Sequence, residues 1–144
     1  MKHPSVEVSV YLPQCSEEDK QDAASHNVHL IEAEEIPGCD NPVDWLSRLP
    51  KGQAVDCVIG YGTVLGRQVQ VIKHYLQCKC IQIVDTAPEE LGRYRSHSIP
   101  RAEVLHQDVV KLCENADQVV AVGPKLADVF GRYLRSCTES RWCS

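Results

Sequence analysis

The chain reads as an α/β protein, a three-layer sandwich whose parallel sheet of about five strands lies between helices. Three observations predict this. Five short segments rich in Val and Ile recur along the 144 residues. The last three of them are continuous apolar runs, as in strands covered on both faces. Between those three and after them lie stretches whose apolar residues step by 4, 3 and 4, which lines one face of a helix.

The strands are expected at residues 6–12 (VEVSVYL), 28–33 (VHLIEA), 55–59 (VDCVI), 80–84 (CIQIV) and 118–122 (QVVAV). The last three should be central, with Ile59, Val84 and Val120 buried. The helical stripes are Leu65, Val69, Ile72 and Leu76; then Leu105, Val109, Leu112 and Ala116; then Leu126, Phe130, Tyr133 and Cys137. Start signals agree: Ser16 with Asp19 is a loose capping pair, Thr86 with Glu89 makes a Thr-x-x-Glu capping box, and Pro124 follows Gly123 at a natural first helical position. Residues 34–54, with Pro37, Gly38, Pro42 and Pro50, are turns around one short helix, Val43 to Leu49. Strands alternating with helices make right-handed βαβ units, hence a Rossmann-like sheet. The length suits a single domain over residues 1–136, and the aperiodic tail at 137–144 should fray.

Leu, Ile, Val and Phe fill 37 of 144 positions, enough to build a core. A net charge of −5 with no basic run excludes a nucleic-acid binder. No apolar stretch approaches the roughly 18 residues of a membrane span, and MKHPSVEVSVYLPQ runs into a strand without the apolar core of a leader peptide. Eight cysteines are too sparse for a disulfide scaffold, so the thiols are expected reduced and the protein cytoplasmic.

The chemistry-bearing residues cluster at strand ends. After the first strand comes Pro13-Gln14-Cys15-Ser16-Glu17-Glu18-Asp19, whose acids oppose a bound pyrophosphate, so no dinucleotide cofactor is expected. After the third come Gly60, Tyr61, Gly62, Thr63 and, at a G-x-G-x-x-x-G spacing, Gly66. That run is either a bare structural turn or a backbone cradle at a helix start. The fourth strand ends in Asp85-Thr86-Ala87-Pro88-Glu89, where Asp85 and Glu89 can serve acid/base chemistry or a sugar hydroxyl, or where Thr86 and Glu89 merely cap a helix. With Gly123 at the fifth strand's end, these positions form one crevice at the carboxyl edge of the sheet, where open α/β sheets bind ligands. Glycine backbone and carboxylates together suit a neutral polyol better than a phosphate. His74, Cys78 and Cys80 lack a fourth ligand for zinc, so no metal is expected. Arg93, Arg95 and Arg101 either meet an anion or solvate a loop.

The run VDCVIGYGTVLGRQVQVIKHYLQCKCIQIVDTAPEELGRY, then ENADQVVAVGPKLADVF, resembles the N-terminal domain of family 4 glycosyltransferases of the GT-B fold. With the opening strand EVSVYLP the resemblance covers most of residues 5–135. It implies an acceptor-side domain, in a family where a second Rossmann-like domain holds the nucleotide sugar. Three departures stand out. A donor domain has no room in 144 residues; PQCSEED replaces the family's glycine-rich loop; and Tyr61 and Asp85 occupy strand ends where the family often carries His. The resemblance therefore implies a catalytically incomplete pseudoenzyme that keeps a crevice for a sugar or other small polar ligand. The alternative is a protein-interaction or regulatory module on the same fold, or, less simply, a transferase half completed by a partner.

Overall fold

The computed structural model describes residues 5–86, 99–134 and 142–143. It shows an α/β protein with parallel strands joined by helices, divided into two compact units, residues 1–53 and 54–144.

In the first unit β1 (Val8–Leu12) pairs in parallel with β2 (Val28–Glu32), Val8 opposite Val28 and Leu12 opposite Glu32. The connecting helix α1 (Glu17–Ser25) starts where the sequence places it. Asp19 N donates to Ser16 Oγ at 3.0 Å, and Ser16 N donates to Asp19 Oδ2 at 2.9 Å, a reciprocal capping box. The short helix α2 is Pro42–Trp45, briefer than the expected Val43 to Leu49, and Asn41 Oδ1 caps it by accepting from Val43 N at 3.2 Å. The Tyr11 hydroxyl donates to the carbonyls of Trp45 and Arg48, and Trp45 Nε1 donates to Cys39 O at 2.8 Å. The Tyr11 bonds tie the proline-rich segment to β1, and the Trp45 bond holds the segment to itself.

The second unit runs β3 (Cys57–Tyr61), α3 (Gly62–Leu76), β4 (Lys79–Val84), α4 (Ile99–Asn115), β5 (Gln118–Ala121), α5 (Pro124–Tyr133) and β6 (Trp142–Cys143). Its strands are all parallel in the order β3-β4-β5-β6. All five expected strands exist, but they are shared between a two-stranded and a four-stranded sheet rather than forming one sheet of five. Trp142–Cys143 adds a strand in a tail that shows no periodicity.

Because each strand of the second unit pairs with the next one along the chain, right-handed crossovers put α3, α4 and α5 on one face. The core agrees with that rule. Val58, Cys80, Val84, Val119 and Ala121 share a face by strand alternation, and Val69, Val109, Cys113, Leu126 and Phe130 pack against them. Cys57, Ile59 and Tyr61 point the other way and are exposed. This corrects the expectation for Ile59, which is 59% exposed, whereas Val84 is buried and Val120 half-buried. Cys57 is likewise exposed, while Cys80 is fully buried. The α3 stripe differs as well: Gly66 and Ile72 are its buried residues, and Leu65 and Leu76 are more than a third exposed. In α4, just after it and in α5, the predicted Val109, Leu112, Ala116 and Phe130 are buried as expected.

Burial pushes the Cys80 thiol up to about 11 and the Cys113 thiol up to about 12. Both groups favour the neutral form in the folded state, so their contribution is intact below the unfolded thiol value near 9 and is lost as pH rises through 11 and 12. At pH 10 the loss is about 1 kcal/mol for each thiol. Under reducing conditions, the fall in Tm between pH 8 and pH 10 should be smaller for Cys113→Ala than for the wild type. Equal falls would show that burial of this thiol is unrelated to alkaline unfolding.

Candidate functional site

The carboxyl ends of β3 and β4 bring chemistry together. Tyr61 lies opposite Ile83, one residue short of the end of β4, and its hydroxyl donates to Asp85 Oδ2 at 2.9 Å. The Thr86 hydroxyl donates to Asp85 Oδ1 at 3.2 Å, so each oxygen of this carboxylate holds one hydroxyl. The bond to Asp85, then partial desolvation, then the carboxylate's charge raise the Tyr61 phenol above its ordinary value. Tyr61 is thus a neutral donor across the physiological range.

Helix α3 begins beside this group. Gly62, at φ +68°, makes the turn out of β3, and among the described residues no side chain caps the helix's first N–H groups. Below them lies Gln82, 1% exposed on the helix-facing side of β4, whose Nε2 donates to Gly62 O at 2.7 Å and to Ile83 O at 3.1 Å. Its Oε1 is buried without a hydrogen-bond partner among the described residues. Gly62, Thr63, Gln82, Val84, Asp85 and Thr86 line a cleft of about 20 Å³, closed on the helix side by Val109 and Leu112.

The remaining predicted site residues are placed differently. Gly60 is buried under α3, where a Cβ would lie 2.9 Å from Gly66 Cα, so its task is close packing of helix on strand. Gly123, at φ +96°, turns the chain from β5 into α5 but does not line the cleft. Glu89, Arg93 and Arg95 lie outside the described residues, as does the side chain of Arg101. Gln82 was not anticipated. The signal was a lone polar residue inside the apolar run CIQIV, which on a buried strand must find hydrogen-bond partners.

A larger hollow of about 590 Å³ opens at the other end of the strands, bounded by Lys73, His74, Gln77, Lys79 and Asp117. Its polar groups serve one another. Asp117 accepts from Cys80 N at 2.8 Å and pairs with Lys73 at 3.2 Å and Lys79 at 3.7 Å, and Lys73 also donates to Asn115 O at 2.6 Å. Desolvation works to raise the Asp117 carboxyl, but the Cys80 and Lys73 bonds and the lysine charges prevail and hold it below the usual range. Lys73, in the last turn of α3, also complements that helix's dipole. Despite its size, this hollow is a set of satisfied structural contacts. Among the described residues no three His, Cys, Asp or Glu side chains converge as a metal ion would require.

A family model described as Family 4 Glycosyltransferase in conflict systems matches residues 2–142. The chain belongs to this family. The match extends over nearly the whole sequence and so includes both units, the β3–α3 turn and the Asp85 strand end. No curated protein matches the chain. As a family 4 glycosyltransferase-like domain, it presents Tyr61 and Asp85 as a hydrogen-bonded pair at the strand ends. No helix among the described residues is long and apolar enough to cross a membrane.

Proposed function

We propose that this chain is the acceptor side of a GT-B glycosyltransferase, that it is catalytically incomplete as the 144-residue polypeptide, and that its β3–β4 crevice holds a neutral polyol such as a sugar. The observation that carries the reading is the Tyr61–Asp85–Thr86 group beside the uncapped start of α3. Sugar hydroxyls both donate and accept, and the crevice offers a carboxylate acceptor, two hydroxyls and a helix start without a side-chain cap among the described residues. A phosphate would gain from the helix start but would be repelled by Asp85. Glu89 belongs to the proposal on sequence grounds alone. The family description supports a place in a conflict system. We assign its work to the cytoplasm; Cys15, Cys39, Cys57, Cys78, Cys80 and Cys113, free among the described residues, agree with a reducing compartment.

Transfer needs groups from both walls of a cleft, held in close register. The purified chain should therefore hydrolyse and transfer nothing from nucleotide sugars, while methyl hexopyranosides shift the backbone amides of Gly62, Thr63 and Asp85 in NMR titrations. Asp85→Asn keeps the shape of the side chain but removes a charged acceptor, so affinity should fall about tenfold. Turnover by this chain alone would overturn the incompleteness, and amides unmoved by any hexopyranoside would overturn the polyol site.

A second reading, a protein-interaction module, is favoured by a different observation. Ile59, Val64, Val71 and Tyr75 on β3 and α3 are each between 45% and 59% exposed, more apolar surface than a sugar site requires.

A further inference from the structure

Tyr61 brings more to the crevice than a hydroxyl. It stands on the face of β3 turned away from the helices, is 50% exposed, and has its hydroxyl engaged with Asp85 Oδ2 at 2.9 Å. Most of a tyrosine's surface is ring, so the exposed half is largely aromatic carbon. A ring in solvent ordinarily swings about two side-chain torsions. Here the strand holds one end and the carboxylate the other, so the ring is kept open to water in one place. A surface fixed in advance loses less entropy when a ligand packs on it. The carboxylate beside it is exposed and still has capacity, because each oxygen of Asp85 accepts one hydroxyl and can accept two. Aromatic carbon next to an open carboxylate calls for a ligand with an apolar face and hydroxyls at its edge. A pyranose ring has both, whereas an acyclic polyol has the hydroxyls without a fixed C–H face.

We propose that Tyr61 is the platform of a pyranose subsite, on which one C–H face of a cyclic sugar packs against the exposed aromatic ring while an edge hydroxyl donates to Asp85. The inference rests on the polyol reading of the same crevice and narrows it from polyols at large to ring-closed sugars. The attraction is dispersion between the sugar's C–H groups and the ring carbons, helped by the negative face of the ring. Asp85, already oriented by Tyr61 and Thr86, sets how the sugar is turned on the platform.

The test titrates the full chain with methyl β-galactopyranoside and with galactitol, which offers hydroxyls but no ring. In the wild type the glycoside should shift the amides of Gly62, Thr63 and Asp85, and intermolecular NOEs should join its ring C–H protons to the Tyr61 ring protons. Galactitol should bind about tenfold more weakly. Tyr61→Phe keeps the ring and loses the tether, and its affinity should stay within about threefold of the wild type, whereas Tyr61→Leu keeps apolar bulk without the ring and should lose about tenfold. If the glycoside shifts those amides without an NOE to Tyr61, or if galactitol binds as well as the glycoside, the polyol site stands and the platform fails. Equal losses in Tyr61→Phe and Tyr61→Leu would place the role in the hydroxyl and defeat the proposal likewise. If no glycoside shifts those amides, the polyol site itself is wrong, and this inference falls with it. The NOEs and the galactitol comparison are read on the wild type and so decide the matter even should a variant fold poorly.

Discussion

Phe130→Ala should destabilise the second unit by about 3–5 kcal/mol, the range for emptying a fully enclosed aromatic site. Phe130 has no exposed surface and packs from α5 into the cluster that contains Cys80, Val84, Val119 and Ala121. It is the chain's one phenylalanine, and its neighbours are small, so the surrounding side chains have little reach with which to close the gap. Domains are stable by only about 5–15 kcal/mol, so the loss should appear as a large drop in the urea midpoint followed by far-UV circular dichroism. A shift equivalent to less than 1 kcal/mol would mean that α5 does not seal this core.

Gly66→Ala should cost about 2–4 kcal/mol, against the ordinary expectation that alanine strengthens a helix by about 1 kcal/mol over glycine. The new methyl would run into Gln82 Oε1. Gln82 is 1% exposed and held by two hydrogen bonds, so it yields only by breaking them or by pushing α3 off the strand. The decisive comparison is a double-mutant cycle. In a Gln82→Ala background the obstacle is gone, and Gly66→Ala should become neutral or stabilising in chemical denaturation. A penalty of the same size in both backgrounds would place its origin elsewhere in α3.

These two residues also show what the sequence reveals and what it hides. Phe130 was legible because an apolar residue four positions after Leu126 repeats the helical step, and burial follows from that periodicity. Gly66 and Ile72 were less legible. Counting apolar side chains chose Leu65 and Leu76 for the buried stripe, but the close approach of Gly66 to Gly60 rotates α3 so that its glycine side meets the strand. The third strand was found two residues early, because VDCVI is the more apolar run, whereas pairing with β4 sets it at Cys57–Tyr61. Its exposed Ile59 follows from strand order and crossover hand, neither of which is written in a local apolar pattern. At the site, the glycine turn and Asp85 were readable as strand-end signals. Gln82 was not, because its meaning lies in which face of β4 it occupies and what stands opposite.

The strand order of the second unit also bears on how it is made. Every strand lies beside the one synthesised next, β3 by β4, β4 by β5 and β5 by β6, so no pairing waits for a distant part of the chain. Loop closure is then paid in short instalments, and contacts stay local for a parallel sheet. As the polypeptide leaves the ribosome, β3, α3 and β4 can dock as a seed before β5 exists, and each later helix and strand adds to a surface already formed.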